Sequence, residues 1–168
     1  MASRQSVSGR LVFLAVFLAC AGLMGFGLYL QHAQGLEPCP LCILQRYAFL
    51  ATGLVALVAA LHGPGRIGNA IYGLLIALAA GAGGAVAGRQ VWLQYNPPQV
   101  LDCGPDLAYM LDSFPLSQVL PKVFRGEGDC AAVVWKFLGL SIPEWALLWF
   151  VLFAVAGLYV LLVRPARR

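Results

Sequence analysis

Residues 11–30 read LVFLAVFLACAGLMGFGLYL, a stretch that contains no charged side chain. A helix of about 20 apolar residues is long enough to cross the hydrocarbon core of a bilayer. Further apolar stretches follow in the 168-residue chain, at about 45–62, 68–88 and 145–163. The pattern predicts an all-α membrane protein: a four-helix transmembrane bundle that forms a single integral membrane domain over residues 1–168.

The overall composition supports the same interpretation. Hydrophobic residues make up 61% of the chain and charged residues only 11%, whereas soluble domains average about 25% charged. No basic run with interleaved aromatic residues occurs, so nucleic-acid binding is not expected. The first apolar stretch is longer than the 7–15 residues of a signal-peptide core and lacks a clear A-x-A cleavage site, which predicts that it is retained as a membrane span.

Basic residues predict the orientation of these spans. Cytoplasmic connections carry an excess of Lys and Arg over the connections on the other side. The tails and the turn at 62–67 carry six arginines, whereas the basic residues of the connection at 90–144 are offset by acidic ones. We therefore expect a multi-pass protein of a bacterial inner membrane, embedded in the lipid bilayer, with cytoplasmic N- and C-termini. The loops at about 31–44 and 90–144 would be periplasmic, where disulfides persist.

Two features of the predicted outer side indicate structural roles. Apolar residues at helical spacing within 116–124 predict an amphipathic surface helix in the second periplasmic loop, which Pro115 and Pro121 keep short. Aromatic residues near the predicted span ends are typical of interfacial anchors, and no chemistry was assigned to them individually. They are Tyr29, Tyr47, Trp92, Tyr95, Trp145 and Trp149.

A C-x-x-C motif, Cys39-Pro40-Leu41-Cys42, lies where the first periplasmic loop enters the second span. Thiols at this spacing can close a small disulfide ring, and one of them often reacts as a thiolate. Lipid-soluble electron carriers such as quinones are found in the adjoining membrane. The motif therefore indicates electron transfer between thiols and the membrane.

Four cysteines are predicted on the outer side, and they admit three disulfide pairings. Sequence proximity favours Cys39–Cys42, which leaves Cys103–Cys130, but the sequence alone does not decide among the pairings. Inert structural disulfides are one alternative, although a C-x-x-C ring constrains too short a loop to add much stability. A tetracysteine zinc site is another, although such sites usually have two closely spaced cysteine pairs, and Cys103 and Cys130 are far apart.

Two arginines are candidates for binding a quinone. Arg46 is four residues after Cys42 and shares its helix face, so its guanidinium can stabilise a thiolate and donate a hydrogen bond to a quinone carbonyl. The alternative is an arginine that extends to the lipid headgroups. Arg89, at the outer end of the third span, either shapes the same site or anchors the helix.

Several motifs together resemble the disulfide bond formation protein B (DsbB) family, the membrane oxidases that re-oxidise the periplasmic thiol oxidase DsbA. The resemblance covers nearly the whole chain. The matching segments are Pro38-Cys39-Pro40-Leu41-Cys42 with Gln45-Arg46, Gly88-Arg89 with Val91-Trp92-Leu93-Gln94, Cys103-Gly104-Pro105, Gly128-Asp129-Cys130, and residues 137–145, FLGLSIPEW.

The resemblance implies a relay of thiol–disulfide exchange. DsbA would attack the Cys103–Cys130 pair and form a mixed disulfide with Cys103. Exchange with Cys39–Cys42 would then bring the electrons to Cys42, whose thiolate contacts a non-covalently bound ubiquinone or menaquinone from the membrane pool. Arg46 matches the quinone-site arginine of the family. Arg89 and Gln90 are expected near the same site, and Gln90 replaces a His that many members carry there.

Two other functions remain as alternatives to this thiol:quinone oxidoreductase. A four-helix reductase of the vitamin K type would also take electrons from thiols, but its C-x-x-C is expected near a late helix. A non-enzymatic membrane scaffold would use the cysteines only for structural disulfides. Replacement of Cys42 by Ser separates an oxidase from a scaffold, because only the oxidase would lose quinone-dependent oxidation of a dithiol partner.

Overall fold

The computed structural model describes residues 2–36, 38–97, 133 and 135–162, with side chains from residue 9 onward. Within these residues four helices are long and apolar enough to cross a membrane, which confirms the predicted four-helix membrane bundle. They are α1 (Ala2–Gln34), α2 (Pro40–His62), α3 (Arg66–Tyr95) and α4 (Ile142–Leu162). Cys103, Cys130 and the surface helix predicted at 116–124 lie outside the described residues.

The helices extend beyond the predicted spans at the end of the bundle that holds the C-x-x-C motif. Helix α2 begins at Pro40, because Cys39 is its N-cap and proline is favoured in the first helical turn. Helix α3 continues past Arg89 to Tyr95 and ends before Pro97, since a residue that precedes proline avoids the helical conformation. Gln90 is therefore helical, whereas the sequence had placed it at the start of a loop.

Hydrogen bonds at the two ends of the bundle show that successive helices run antiparallel. Arg10, near the start of α1, donates from Nε to the carbonyl oxygen of Ala60 near the end of α2, at 3.1 Å. At the opposite end, the Tyr95 hydroxyl donates to Oε1 of Glu144 in the first turn of α4, at 2.8 Å. Each helix packs on its neighbour in sequence, whereas α1 and α4 meet at few positions.

The closest helix packing is between α3 and α4, where glycines let the backbones approach. A Cβ atom added to Gly157 would lie 2.6 Å from the carbonyl oxygen of Gly73. Nearer the C-x-x-C end, Phe150 packs against Gly83 and stacks on Phe49 of α2, with ring centroids 4.1 Å apart. Small residues at helix interfaces are typical of membrane bundles, where close van der Waals contact replaces the hydrophobic driving force.

A short β-hairpin, with two residues in each strand, leads into α4. The sequence did not predict it. Strand β1 (Lys136–Phe137) pairs antiparallel with β2 (Leu140–Ser141). The turn residues Leu138 and Gly139 both have positive φ, at 53° and 84°, as expected for a tight turn that matches the twist of the strands. Glu144 accepts a hydrogen bond from the Ser141 backbone N–H at 2.6 Å, so the hairpin is held against the start of α4.

Candidate redox site

The C-x-x-C motif forms the N-terminus of α2. Cys39 is the N-cap, with extended backbone angles, and its sulfur accepts a hydrogen bond from the Cys42 backbone N–H at 3.4 Å. The two Sγ atoms lie 2.9 Å apart, close enough for a hydrogen bond from Cys39 to Cys42.

The position of these sulfurs favours an ionised thiol. The first backbone N–H groups of a helix lack intrahelical partners, and the helix dipole places partial positive charge there. Both effects stabilise a thiolate relative to a thiol at a helix N-terminus. Cys39 can in addition donate its S–H to the Cys42 sulfur. The two sulfurs thus lie against each other at the N-terminus of α2.

Two buried glutamines connect α2 and α3 beside the sulfurs. Gln45 and Gln90 are only 4% and 3% exposed, and Nε2 of Gln45 donates to Oε1 of Gln90 at 2.6 Å. Nε2 of Gln90 lies 3.3 Å from the Cys39 sulfur and 3.2 Å from the Cys42 sulfur. The Cys42 sulfur also lies 3.6 Å from Oε1 of Gln90. Gln90 therefore contacts both cysteines with its amide group.

Arg46 lies one turn after Cys42, but its guanidinium turns towards α1. Nη1 donates to Oε1 of Gln31 at 2.5 Å, and Nη2 donates to the carbonyl oxygen of Gly27 at 3.2 Å. Among the hydrogen bonds between described residues, none joins Arg46 to the Cys42 sulfur. The guanidinium is thus held by α1, with its positive charge on the helix face that Cys42 also occupies.

A cavity of about 430 Å³ lies between α1 and α4, on the side where Arg46 meets Gly27. Its volume is in the range of small-molecule sites, which are mostly apolar with a few polar groups. Neither described sulfur at positions 39 and 42 belongs to the lining. The lining residues are Leu23, Phe26, Gly27, Leu30, Phe49, Trp135, Phe137, Ile142, Trp145, Ala146 and Trp149.

The apolar and aromatic lining of this cavity fits the ring and tail of a quinone but does not itself supply donors for its carbonyls. A quinone has a flat apolar ring, two carbonyl acceptors and an apolar tail. Aromatic side chains can stack on the ring. Arg46, which can donate to a carbonyl oxygen, is not among the lining residues but contacts the lining residue Gly27. Phe26 and Phe137 are about half exposed, at 48% and 52%, so the rim of the cavity reaches the outer surface of the bundle. A tail could therefore extend into lipid.

The structure describes only some of the remaining cysteines and arginines that the sequence singled out. Cys103 and Cys130 are not among the described residues, so their pairing and roles stay predictions. Arg89 is half-buried in α3, and it immediately precedes Gln90, about 100° away around the helix axis. Cys20 of α1 is buried and contacts Gly53 of α2, as a small packing residue would.

Sequence reasoning missed some residues of this site. Gln45 could have been identified from the sequence, because it is a polar residue in the buried series Leu41, Gln45 and Phe49 of an otherwise apolar helix. Trp145 and Trp149 were assigned to interfacial anchoring, yet both line the cavity. Gln31 had no such signal, since its role depends on the packing of α1 against α2.

Comparisons with known proteins agree with the resemblance noted in the sequence. The model of a family described as "Disulfide bond formation protein DsbB" matches residues 9–160. A disulfide bond formation protein B of Azoarcus sp. is 57% identical over 158 residues, which cover 94% of this chain and 95% of that protein. One of Aromatoleum aromaticum is 61% identical over 148 residues, covering 88% of this chain and 89% of its own length. One of Marinobacter nauticus is 55% identical over 163 residues, covering 96% and 97%. The chain is therefore a multi-pass membrane protein that belongs to the disulfide bond formation protein B family.

Proposed function

We propose that this protein is a thiol:quinone oxidoreductase that re-oxidises a periplasmic DsbA-type dithiol oxidase. Electrons would pass through Cys103 and Cys130 to Cys39 and Cys42, and from there to ubiquinone or menaquinone in the membrane. The observation that carries the proposal is the C-x-x-C pair at the N-terminus of α2, with Arg46 on the same helix face and in contact with Gly27, which lines an apolar cavity.

Each thiol–disulfide step conserves electrons and protons. A thiolate of the reduced partner attacks the Cys103–Cys130 disulfide and forms a mixed disulfide with Cys103, which releases Cys130 as a thiol. The partner's second thiol then attacks this mixed disulfide, so that the partner leaves with its own disulfide and Cys103 becomes a thiol. The resulting Cys103–Cys130 dithiol reduces the Cys39–Cys42 disulfide in the same way. A bound quinone supplies an acceptor for two electrons and two protons. Such an acceptor is needed because a DsbA-type couple, at about −120 mV, is itself strongly oxidising.

The residues around the C-x-x-C motif would keep Cys42 reactive. A Cys42 thiolate would accept hydrogen bonds from the Cys39 S–H and from Nε2 of Gln90. Arg46 would place a positive charge near the same end of α2 and donate to a quinone carbonyl. Arg89 and Gln90 lie on α3 and do not line the cavity; the contacts of Gln90 favour a role at the sulfurs.

The orientation of the proposed reaction follows from the charges at the membrane edges. The dithiol and the long connection would face the periplasm of a bacterial inner membrane, and both termini would face the cytoplasm. Arg10 lies at the end of the bundle opposite Cys39 and Cys42, which agrees with a cytoplasmic position under the positive-inside rule.

The test uses the full-length protein in detergent, with a reduced DsbA-type protein and a short-chain ubiquinone or menaquinone. We expect one quinone to be reduced for each partner dithiol oxidised, and no turnover for Cys42→Ser. Cys20→Ser is the matched control and should retain activity, because Cys20 packs against Gly53 far from the motif. Should the unsubstituted protein leave the reduced partner unchanged, the proposal fails. If Cys42→Ser lowers only thermal stability, a scaffold is the better explanation.

A further inference from the structure

The hydrogen bond between the two buried glutamines has a direction. Nε2 of Gln45 is the donor and Oε1 of Gln90 the acceptor, at 2.6 Å. With the oxygen of Gln90 engaged in this way, the nitrogen of the same amide lies nearest the Cys39 and Cys42 sulfurs, at 3.3 and 3.2 Å, whereas the oxygen is 3.6 Å from the Cys42 sulfur. Both side chains are almost fully buried, so water is not a competing partner for these groups.

The direction matters because a side-chain amide has two ends of opposite polarity. An NH2 group facing a sulfur donates to it and favours the thiolate. A carbonyl oxygen facing the sulfur repels a thiolate and accepts from a thiol. Gln90 alone could present either end, since rotation of its terminal torsion by half a turn exchanges them. The neighbour that engages the oxygen therefore determines which end faces the sulfurs.

We infer that Gln45 is a positioning residue of the redox site: its amide N–H holds the carbonyl oxygen of Gln90, and so keeps the NH2 of Gln90 directed at Cys39 and Cys42. Gln45 itself makes no hydrogen bond to a sulfur among the described residues. It acts through Gln90, by favouring the thiolate form of the reduced pair. A role of Gln45 in turnover rests on the proposed function, whereas the effect of Gln45 on the thiols does not require a quinone.

A packing role for Gln45 is the alternative. The residue lies in the buried series between Leu41 and Phe49 on α2, so any substitution there can loosen the contact with α3. The two roles differ in how Gln45 depends on Gln90. A packing residue affects stability whatever occupies position 90, whereas a positioning residue loses its influence on the sulfurs once the amide at position 90 is gone.

The thiol–disulfide equilibrium of the Cys39–Cys42 pair with glutathione provides the readout. Stabilising the thiolate stabilises the reduced pair and makes the couple more oxidising. The full-length protein would carry Cys103→Ser and Cys130→Ser, so that only the Cys39–Cys42 disulfide forms. The fraction oxidised would be measured by mass spectrometry after acid quenching, in quinone-free detergent.

We expect Gln45→Met to shift the equilibrium constant about three- to tenfold towards the disulfide, the change expected for loss of one buried hydrogen bond. Gln90→Met should shift it in the same direction, and Gln45→Met should add nothing in the Gln90→Met background. Gln94→Met is the matched control: Gln94 lies one turn further along α3 and accepts a hydrogen bond from Ser141 instead, so its loss should leave the equilibrium unchanged.

Two results would overturn the inference: an unchanged equilibrium constant in Gln45→Met, or an equal shift whether or not Gln90 is present. If Gln45→Met does not fold, Gln45→Asn gives the same test, because the shorter amide keeps polarity but does not reach Gln90. Failure of the quinone assay together with the expected glutathione shift would reject the proposed function and leave the positioning role of Gln45 standing.

Discussion

Nη2 of Arg46 lies 3.2 Å from the carbonyl oxygen of Gly27, so the guanidinium joins α2 to α1 where the cavity between α1 and α4 begins. A cation fixed at the edge of an apolar cavity can orient a ligand that carries carbonyl acceptors. The same contact directs the guanidinium away from a direct hydrogen bond with Cys42. Under the proposed function, Arg46 would therefore bind the acceptor rather than the thiolate.

Arg46→Ala should raise the KM for quinone much more than the KM for the dithiol partner. Loss of a hydrogen bond from a charged donor costs about 1.5–3 kcal/mol, which corresponds to roughly tenfold or more in KM. Steady-state kinetics with each substrate varied in turn would measure both constants. Equal increases in the two KM values would show that Arg46 does not act at the quinone site.

Gln31→Leu should produce a smaller effect of the same kind. Oε1 of Gln31 accepts from Nη1 of Arg46, so its removal frees the guanidinium without deleting the charge. We expect the KM for quinone to rise about two- to fivefold, as for the loss of one neutral partner. Gln34→Leu is the control, since Gln34 is exposed at the end of α1. A change in the partner KM alone would contradict this role.

Ala146→Leu tests whether the cavity itself binds the acceptor. Ala146 lines the cavity from α4 and is 8% exposed, so a larger side chain would occupy space that a quinone ring needs. We expect weaker quinone binding, with the Cys39–Cys42 equilibrium with glutathione unaffected. Ala21→Leu adds the same volume to an exposed position of α1 and should have no effect. Unchanged quinone kinetics in Ala146→Leu would place the binding site elsewhere.

The sequence predicted the membrane bundle well, because the bundle depends on local patterns, and the spacing of the C-x-x-C motif is likewise a local feature. Apolar stretches of span length define helices whatever their neighbours are, and the C-x-x-C spacing places two sulfurs together within one turn. The direction of the Arg46 guanidinium could not be predicted in this way, because it depends on contacts with Gln31 and Gly27 of another helix. The contact between Gln45 and Gln90 likewise joins α2 to α3, and no pattern within either helix specifies it.

The hairpin at 136–141 illustrates the same limit on a smaller scale. Two residues per strand give too short an alternation to be recognised, and the positive φ of Leu138 follows from the geometry of the tight turn. The position of Trp145 in the cavity depends on this hairpin, because its indole Nε1 donates to the carbonyl oxygen of Phe137 at 3.1 Å. An aromatic residue at a span end predicts an interfacial anchor by default, and only the tertiary contact identifies a lining residue.

The approach of α3 to α4 yields a stability prediction with an internal control. Gly157→Ala would place a methyl group 2.6 Å from the carbonyl oxygen of Gly73, so the two backbones must separate. Overpacking of this kind costs about 1–3 kcal/mol, and the detergent-solubilised protein should show a clearly lower Tm. Gly81→Ala introduces the same group where no atom lies within 4 Å, and alanine is the better helix former by about 0.5–1 kcal/mol. Its Tm should be unchanged or higher, and an equal loss of stability in both variants would show that the Gly73–Gly157 contact does not determine how closely α3 and α4 pack.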